Sequence, residues 1–215
     1  MNDSDDNDIK IILLGESGVG KTQLMNVYFN KSFQDNIDIT LVSYCFQEEI
    51  KYGKKTYKCF MWDTAGQEKY RSINQMFIRD AKIILLVYAI DNKHSFEELS
   101  FWFNFVKENK EGDNNYILAL IANKCDLFDS QEISDEEGKE IANKYGVDFL
   151  ITSALVKAKA FRNFVQQLII KYIENNEKNN EKNNKKNNNK NDKKKSTKIK
   201  KNSKDSDNNK KKNCC

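Results

Sequence analysis

An α/β fold, with a mostly parallel central sheet and helices on both faces, is predicted by three features of the sequence. Apolar-rich runs of strand length, Ile9–Leu14, Ile83–Ala89 and Asn115–Ala122, lack the polar alternation of a half-exposed strand, as strands buried on both faces do. Segments with helical periodicity separate them, which is the pattern of an α/β domain. The first run ends in G-E-S-G-V-G-K-T (Gly15–Thr22), a glycine-rich turn between strand and helix with the spacing of a phosphate cradle.

Each element follows from local signals. Ile9–Leu14 is the first buried strand and residues 21–31 the first helix, with Leu24, Val27 and Tyr28 on its inner face. Leu41–Ile50 and Lys55–Trp62 flank a turn containing Gly53 and predict a β-hairpin. Ile83–Ala89 is a fully buried strand. Ser95 with Glu98 has capping-box spacing and predicts a helix from about Phe96 to Lys110. After the Asn115–Ala122 strand, Ser134 and Glu137 repeat that spacing ahead of a helix to about Tyr145, whose end Gly146 marks. Val147–Thr152 is a last short strand. The final helix runs from about Ala158 to Glu174, with Phe161, Phe164, Val165, Leu168 and Ile169 as its core stripe. In such a sheet ligands bind beyond the carboxyl ends of the strands.

The chain has 215 residues, of which 9–174 make one domain. Residues 1–8 form a disordered acidic N-terminus without the features of a signal peptide. Residues 175–215 are an Asn/Lys-rich disordered tail, almost free of apolar residues and unable to pack a core. From Asn175 to Asn213 fifteen Lys oppose five Asp or Glu, a net of +10, so the whole-chain +4 conceals an acidic body. No apolar run approaches the ~18 residues of a membrane helix. Five cysteines without metal-ligand spacing fit a reducing compartment.

The chemistry-bearing residues form an ordered set. Backbone N–H groups of Gly15, Glu16, Ser17, Gly18, Val19 and Gly20 would wrap a phosphate chain at a helix N-terminus, where unpaired N–H groups and the helix dipole favour negative charge. Lys21 reaches the terminal phosphates and the Thr22 hydroxyl holds Mg²⁺, with Gln23 beside them in the first turn. In W-D-T-A-G-Q-E (Trp62–Glu68), Asp63 is placed to organise Mg²⁺, the Gly66 N–H to report the third phosphate, and Gln67 to orient an attacking water. In N-K-C-D (Asn123–Asp126), Asp126 can accept from two donors of guanine, a pairing adenine cannot reproduce. Asn123 can bond the base or brace the loops, and Lys124 can lay its stem along the ring. Backbone at Ser153, Ala154 and Leu155 closes the pocket.

Together, G-E-S-G-V-G-K-T, W-D-T-A-G-Q-E, N-K-C-D and T-S-A resemble the guanine-nucleotide motifs of the Ras superfamily, over about residues 9–172. W-D-T-A-G-Q-E-K-Y-R-S-I and a chain ending in Cys-Cys are most similar to its Rab branch. The resemblance implies the small G-protein version of the P-loop NTPase fold, GTP and GDP with Mg²⁺ as ligands, and slow GTP hydrolysis with Gln67, Lys21, Thr40 and Gly66 as the catalytic set. It implies Phe33 against the guanine face, Thr40 with Thr22 and Asp63 at Mg²⁺, and Thr64 to about Phe77 as the second switch. Exchange factor, GTPase-activating protein, effectors, GDP-dissociation inhibitor and prenylation machinery are the implied partners of a monomer. Cys214 and Cys215 match the family's double prenylation site, distinct from a C-a-a-X box.

Departures fall on the partner-reading side. T-L-V-S-Y-C (Thr40–Cys45) stands where T-I-G-V-D-F is usual, so Val42 replaces a glycine and Cys45 an aromatic. Val42 either alters how the first switch folds or continues the strand. Tyr88-Ala89 replaces Y-D, and the loop at Val156–Lys159 is about three residues short. Two lipid chains with a basic tail would hold the protein on the cytoplasmic face of an endomembrane or the plasma membrane, cycling with the cytosol. The tail lacks the aromatic interleaving of a nucleic-acid binder, so no nucleic-acid partner is expected. A GTP-binding scaffold without hydrolysis, and a Ras-like signalling protein outside vesicle trafficking, are the competing readings.

Overall fold

The computed structural model describes residues 7–31, 44–63 and 71–180. The strands are β1 (Asp8–Leu14), β2 (Tyr44–Tyr52), β3 (Lys55–Asp63), β4 (Ile83–Ala89), β5 (Ile117–Asn123) and β6 (Asp148–Ile151). They form one sheet in the order β2-β3-β1-β4-β5-β6, antiparallel only between β2 and β3. The expected hairpin is that β2–β3 pair, turning at Gly53 with φ of 60°. The helices are α1 (Lys21–Tyr28), α2 (Arg71–Ile78), α3 (Lys93–Glu97), α4 (Leu99–Asn109) and α5 (Asp135–Tyr145). By backbone contacts the chain divides into Met1–Tyr172 and Ile173–Cys215. In the first unit residues 158–172 form the last helix, α6. In the second, residues 173–180 are helical, so helicity outruns the expected end at Glu174.

Burial on both sheet faces explains the apolar-rich runs. Every residue of β4 is buried. Side chains alternate across a strand, and Ile12, Leu14, Ile84, Leu86, Tyr88 and Leu120 share one cluster with Leu99, Trp102, Phe103 and Val106 of α4 and Ala142 of α5. Their buried neighbours Ile11, Leu13, Leu85, Val87 and Ile121 belong to the other side. There α1 supplies Leu24, Met25 and Tyr28, and the Tyr28 ring meets Phe161 of α6 edge-on at 6.2 Å between centroids.

Several expectations need correction. Met25, not Val27, completes the buried face of α1. Phe164 is half-buried, and Tyr172 is buried on the α6 stripe instead. The expected helix from Phe96 is two helices that meet at Glu98, and the first starts earlier, at Lys93, because Asn92 rather than Ser95 is the cap: its side chain accepts from Ser95 N at 3.0 Å. Ser95 turns inward, where its Oγ accepts from Ala89 N at 3.1 Å and donates to Asn92 O at 2.7 Å. Asn serves at an N-cap as well as Ser does, which leaves Ser95 buried and bonded inward. The Ser134–Glu137 capping box and the left-handed Gly146 terminus of α5 are as expected.

Gly138 illustrates packing over propensity. It lies inside α5, where alanine is ordinarily the better helix former by about 1 kcal/mol. A Cβ there would stand 2.7 Å from Phe149 Cζ and closer still to the hydroxyl of Tyr88, whose ring is fully buried. We expect Gly138→Ala to destabilise the chain by about 1–3 kcal/mol, as overpacking does; a denaturation midpoint at or above wild type would show that the helix can move aside.

Candidate functional site

Parallel register brings five strand ends to one edge. Leu13 pairs with Asp63, Leu14 with Leu86, Ala89 with Asn123, and Ala122 with Ile151. The loops that leave β1, β3, β5 and β6 therefore emerge together, and they carry Gly15–Gly20, Asp63, Asn123–Asp126 and Ser153–Leu155.

The loop after β1 is packed down onto the sheet. A Cβ on Gly15 would collide with the Val87 carbonyl, so only glycine lets the chain turn there. Val19 is fully buried, whereas Ser17 and Gly18 are exposed. Lys21 is 5% exposed, and its Nζ donates to the carbonyls of Gly15 at 2.7 Å and Glu16 at 2.9 Å. The ammonium thus lies across the concave side of the loop that precedes it. The N-cap of α1 is the left-handed Gly20, with no side-chain cap and no acidic residue in the first turn, so the positive end of the helix dipole is left uncompensated by a carboxylate of that turn. Gln23 follows, half-buried.

One residue beyond Lys21, the Thr22 Oγ1 donates to Asp63 Oδ2 at 2.7 Å. Asp63 is fully buried at the end of β3. Among the described residues no group of three or more His, Cys, Asp or Glu gathers into a closed metal cage. Mg²⁺ does not require one, since it binds through one or two protein oxygens together with waters and substrate phosphates. The paired oxygens of Thr22 and Asp63, next to an anion-favouring helix terminus, fit that ion.

At the other side of the site, Asn123 is 1% exposed. Its Nδ2 donates to Val19 O at 2.8 Å, and its Oδ1 accepts from Ala154 N at 3.3 Å. Of the two roles open to it in the sequence, the structure displays the brace. Lys124 adopts φ of 65°, and its Nζ pairs with Asp91 Oδ2 at 3.2 Å. Cys125 N donates to Thr152 O at 3.1 Å, which aligns the β5 and β6 loops. Asp126 is half-exposed at the mouth of those loops. Ser153 is buried, and its Oγ accepts from Leu155 N and Val156 N at 3.0 and 3.2 Å, which curls the backbone of Ser153–Leu155.

Phe33, Thr40, Val42, Gly66, Gln67, Cys214 and Cys215 lie outside the described residues. Two contacts escaped the sequence reading: Asp91 against Lys124, and the Trp102 indole against the Glu16 carboxylate at 3.2 Å. Neither has a local signal, because their partners lie 33 and 86 residues away.

The Ras family matches residues 10–178. Ras-related protein Rab-2B of Dictyostelium discoideum is 37% identical over 170 residues, 78% of this chain and 83% of the relative. The chain belongs to the Ras family. Within it the likeness is to Rab proteins and their kin: the GTP-binding protein ypt2 of Schizosaccharomyces pombe is 39% identical over 68% of this chain and 72% of its own length. Human Ras-related protein Rab-22A is 32% identical over 68% of this chain and 75% of its own. This Rab-like chain therefore has the small GTPase architecture, with Asn123 as the strut between its loops.

The strut can be tested without any ligand. Asn123→Ala would leave Val19 O and Ala154 N buried without that partner, and we expect a loss of about 1–3 kcal/mol in chemical denaturation; a change within error would mean the loops hold their places unaided.

Proposed function

We propose that this chain is a GTP-binding, slowly GTP-hydrolysing switch that recruits effectors to a membrane in its GTP state, as a regulator of vesicle traffic. The observation that carries the reading is the Thr22–Asp63 contact beside the buried Lys21 ammonium, at the uncapped N-terminus of α1. These groups suit the polyphosphate end of a nucleotide. Lys21 lies where it can exchange loop carbonyls for phosphate oxygens and neutralise charge that builds during transfer. Mg²⁺, when bound by Thr22, Asp63 and Thr40, supplies further charge neutralisation at the terminal phosphates.

Asp126 accounts for base choice. Its carboxylate accepts from the N1–H and exocyclic amine of guanine, whereas adenine offers an acceptor at N1 and leaves the acid unmatched. The stem of Lys124, held by Asp91, and the ring of Phe33 bracket the base. Gln67 orients the attacking water, and the Gly66 N–H and Thr40 respond to the γ-phosphate. No arginine of this chain is assigned to the transition state, so fast turnover requires an activating protein; an exchange factor reloads the switch. A GDP-dissociation inhibitor and the prenylation machinery serve the Cys214–Cys215 end.

Hydrolysis is tested by loading purified protein with GTP and following a single turnover. Preference for GTP over ATP by orders of magnitude, hydrolysis over minutes to hours, and a Gln67→Leu variant at least tenfold slower with similar nucleotide affinity are expected. ATP binding within tenfold of GTP would remove the base assignment. A wild type that never hydrolyses its GTP would leave a GTP-binding scaffold.

Attachment has its own test. Two prenyl chains supply the two signals stable anchoring needs, while the basic tail by itself gives only salt-sensitive association. Replacing Cys214 and Cys215 by Ser should shift the protein to the soluble fraction at high salt. Retention of that double variant on membranes would rule out lipid as the anchor.

A further inference from the structure

The phosphate loop carries a carboxylate, Glu16, beside the place proposed for an anionic chain. Its main chain and side chain are restrained separately. The Glu16 carbonyl accepts from Lys21 Nζ at 2.9 Å, and its Oε1 accepts from Trp102 Nε1 at 3.2 Å. Trp102 is 1% exposed on α4, and its ring lies edge-on to Phe101 and Phe105 at 5.2 and 5.9 Å between centroids. An indole N–H is a donor only, and burial obliges it to find an acceptor. A hydrogen bond to a charged acceptor is among the stronger ones, and a ring locked by its neighbours gives that bond a fixed direction.

We propose that Trp102 is a positioning residue for the phosphate loop: its indole N–H holds the Glu16 carboxylate on the α4 side, and so sets how strongly the loop distinguishes a nucleoside triphosphate from a diphosphate. The proposal rests on the guanine-nucleotide reading of the site. A carboxylate released from the indole is free to turn toward the phosphates. It then repels the triphosphate more than the diphosphate, because the added phosphoryl group brings added negative charge. The indole does this without a second positive charge in the loop, which would bind both nucleotides more tightly.

Trp102→Phe keeps an aromatic ring and removes the donor. In equilibrium competition the variant should lose about fivefold more affinity for GTP than for GDP. That differential should shrink as ionic strength rises, and it should vanish when Glu16→Gln is added. An equal loss for both nucleotides, or a differential that survives in the double variant, overturns the proposal and leaves Trp102 as packing alone. Should Trp102→Phe fail to fold, NMR of the intact core decides: Trp102 indole N–H exchange should be faster in Glu16→Ala than in wild type, and an unchanged rate overturns the contact. A wild type that binds neither guanine nucleotide would overturn the proposed function, and the indole exchange measurement would still judge the contact.

Discussion

The carboxamide of Asn123 donates to Val19 O and accepts from Ala154 N, so one buried side chain joins the loop after β1 to the loop after β6. The constraint it answers is general to parallel sheets. Adjacent parallel strands have no tight turn between them, and their carboxyl-end loops come from distant parts of the chain. Here the joined residues lie 104 and 31 positions from Asn123. An amide that satisfies both a donor and an acceptor in a buried place specifies one arrangement of those loops, because any other leaves polar groups unpaired. Gly20 belongs to the same arrangement: its φ of 93° and the 2.5 Å from a notional Cβ to Asn123 Nδ2 both exclude a side chain.

Charge is organised around that strut. A buried ammonium is costly unless hydrogen-bonded, and Lys21 meets the requirement through the Gly15 and Glu16 carbonyls. Those are weaker partners than an ionised phosphate, so they can be exchanged for one. Three of the nearby acids are each engaged by a different element: Glu16 by Trp102 of α4, Asp63 by Thr22 of α1, and Asp91 by Lys124. Carboxylates can therefore sit around a proposed anion site without filling it.

Away from the loops, Trp62 and Phe77 lie 5.6 Å apart, and Lys10 Nζ stands 5.6 Å and 5.8 Å from their ring centroids. Cys45 is paired with Trp62 across the β2–β3 hairpin and is exposed, where the family pattern has an aromatic. This face keeps two rings and a cation and has a thiol in place of the third ring. Among the described residues no helix is long and apolar enough to cross a membrane; in the proposed function attachment falls to the lipidated tail.

What the sequence determined by itself is what depends on neighbours along the chain. Apolar-rich runs specified the buried strands, the Gly53 turn the hairpin, Ser134 with Glu137 and Gly146 the limits of α5, and the glycine spacing the loop at Gly15–Gly20, because each is a local balance of dihedral preference, capping and periodicity. The start of α3 at Lys93 was decided between two good caps, Asn92 and Ser95: Asn92 caps the helix while Ser95 is buried and bonded to Ala89. Asp91 against Lys124, Trp102 against Glu16, the bracing role of Asn123 and the intolerance of Gly138 to a methyl group were decided by tertiary structure alone. Their partners are brought within hydrogen-bonding or van der Waals reach only when the parallel register aligns the strand ends and α4 and α5 pack on the sheet, and no spacing along the chain encodes a distance that exists only after packing.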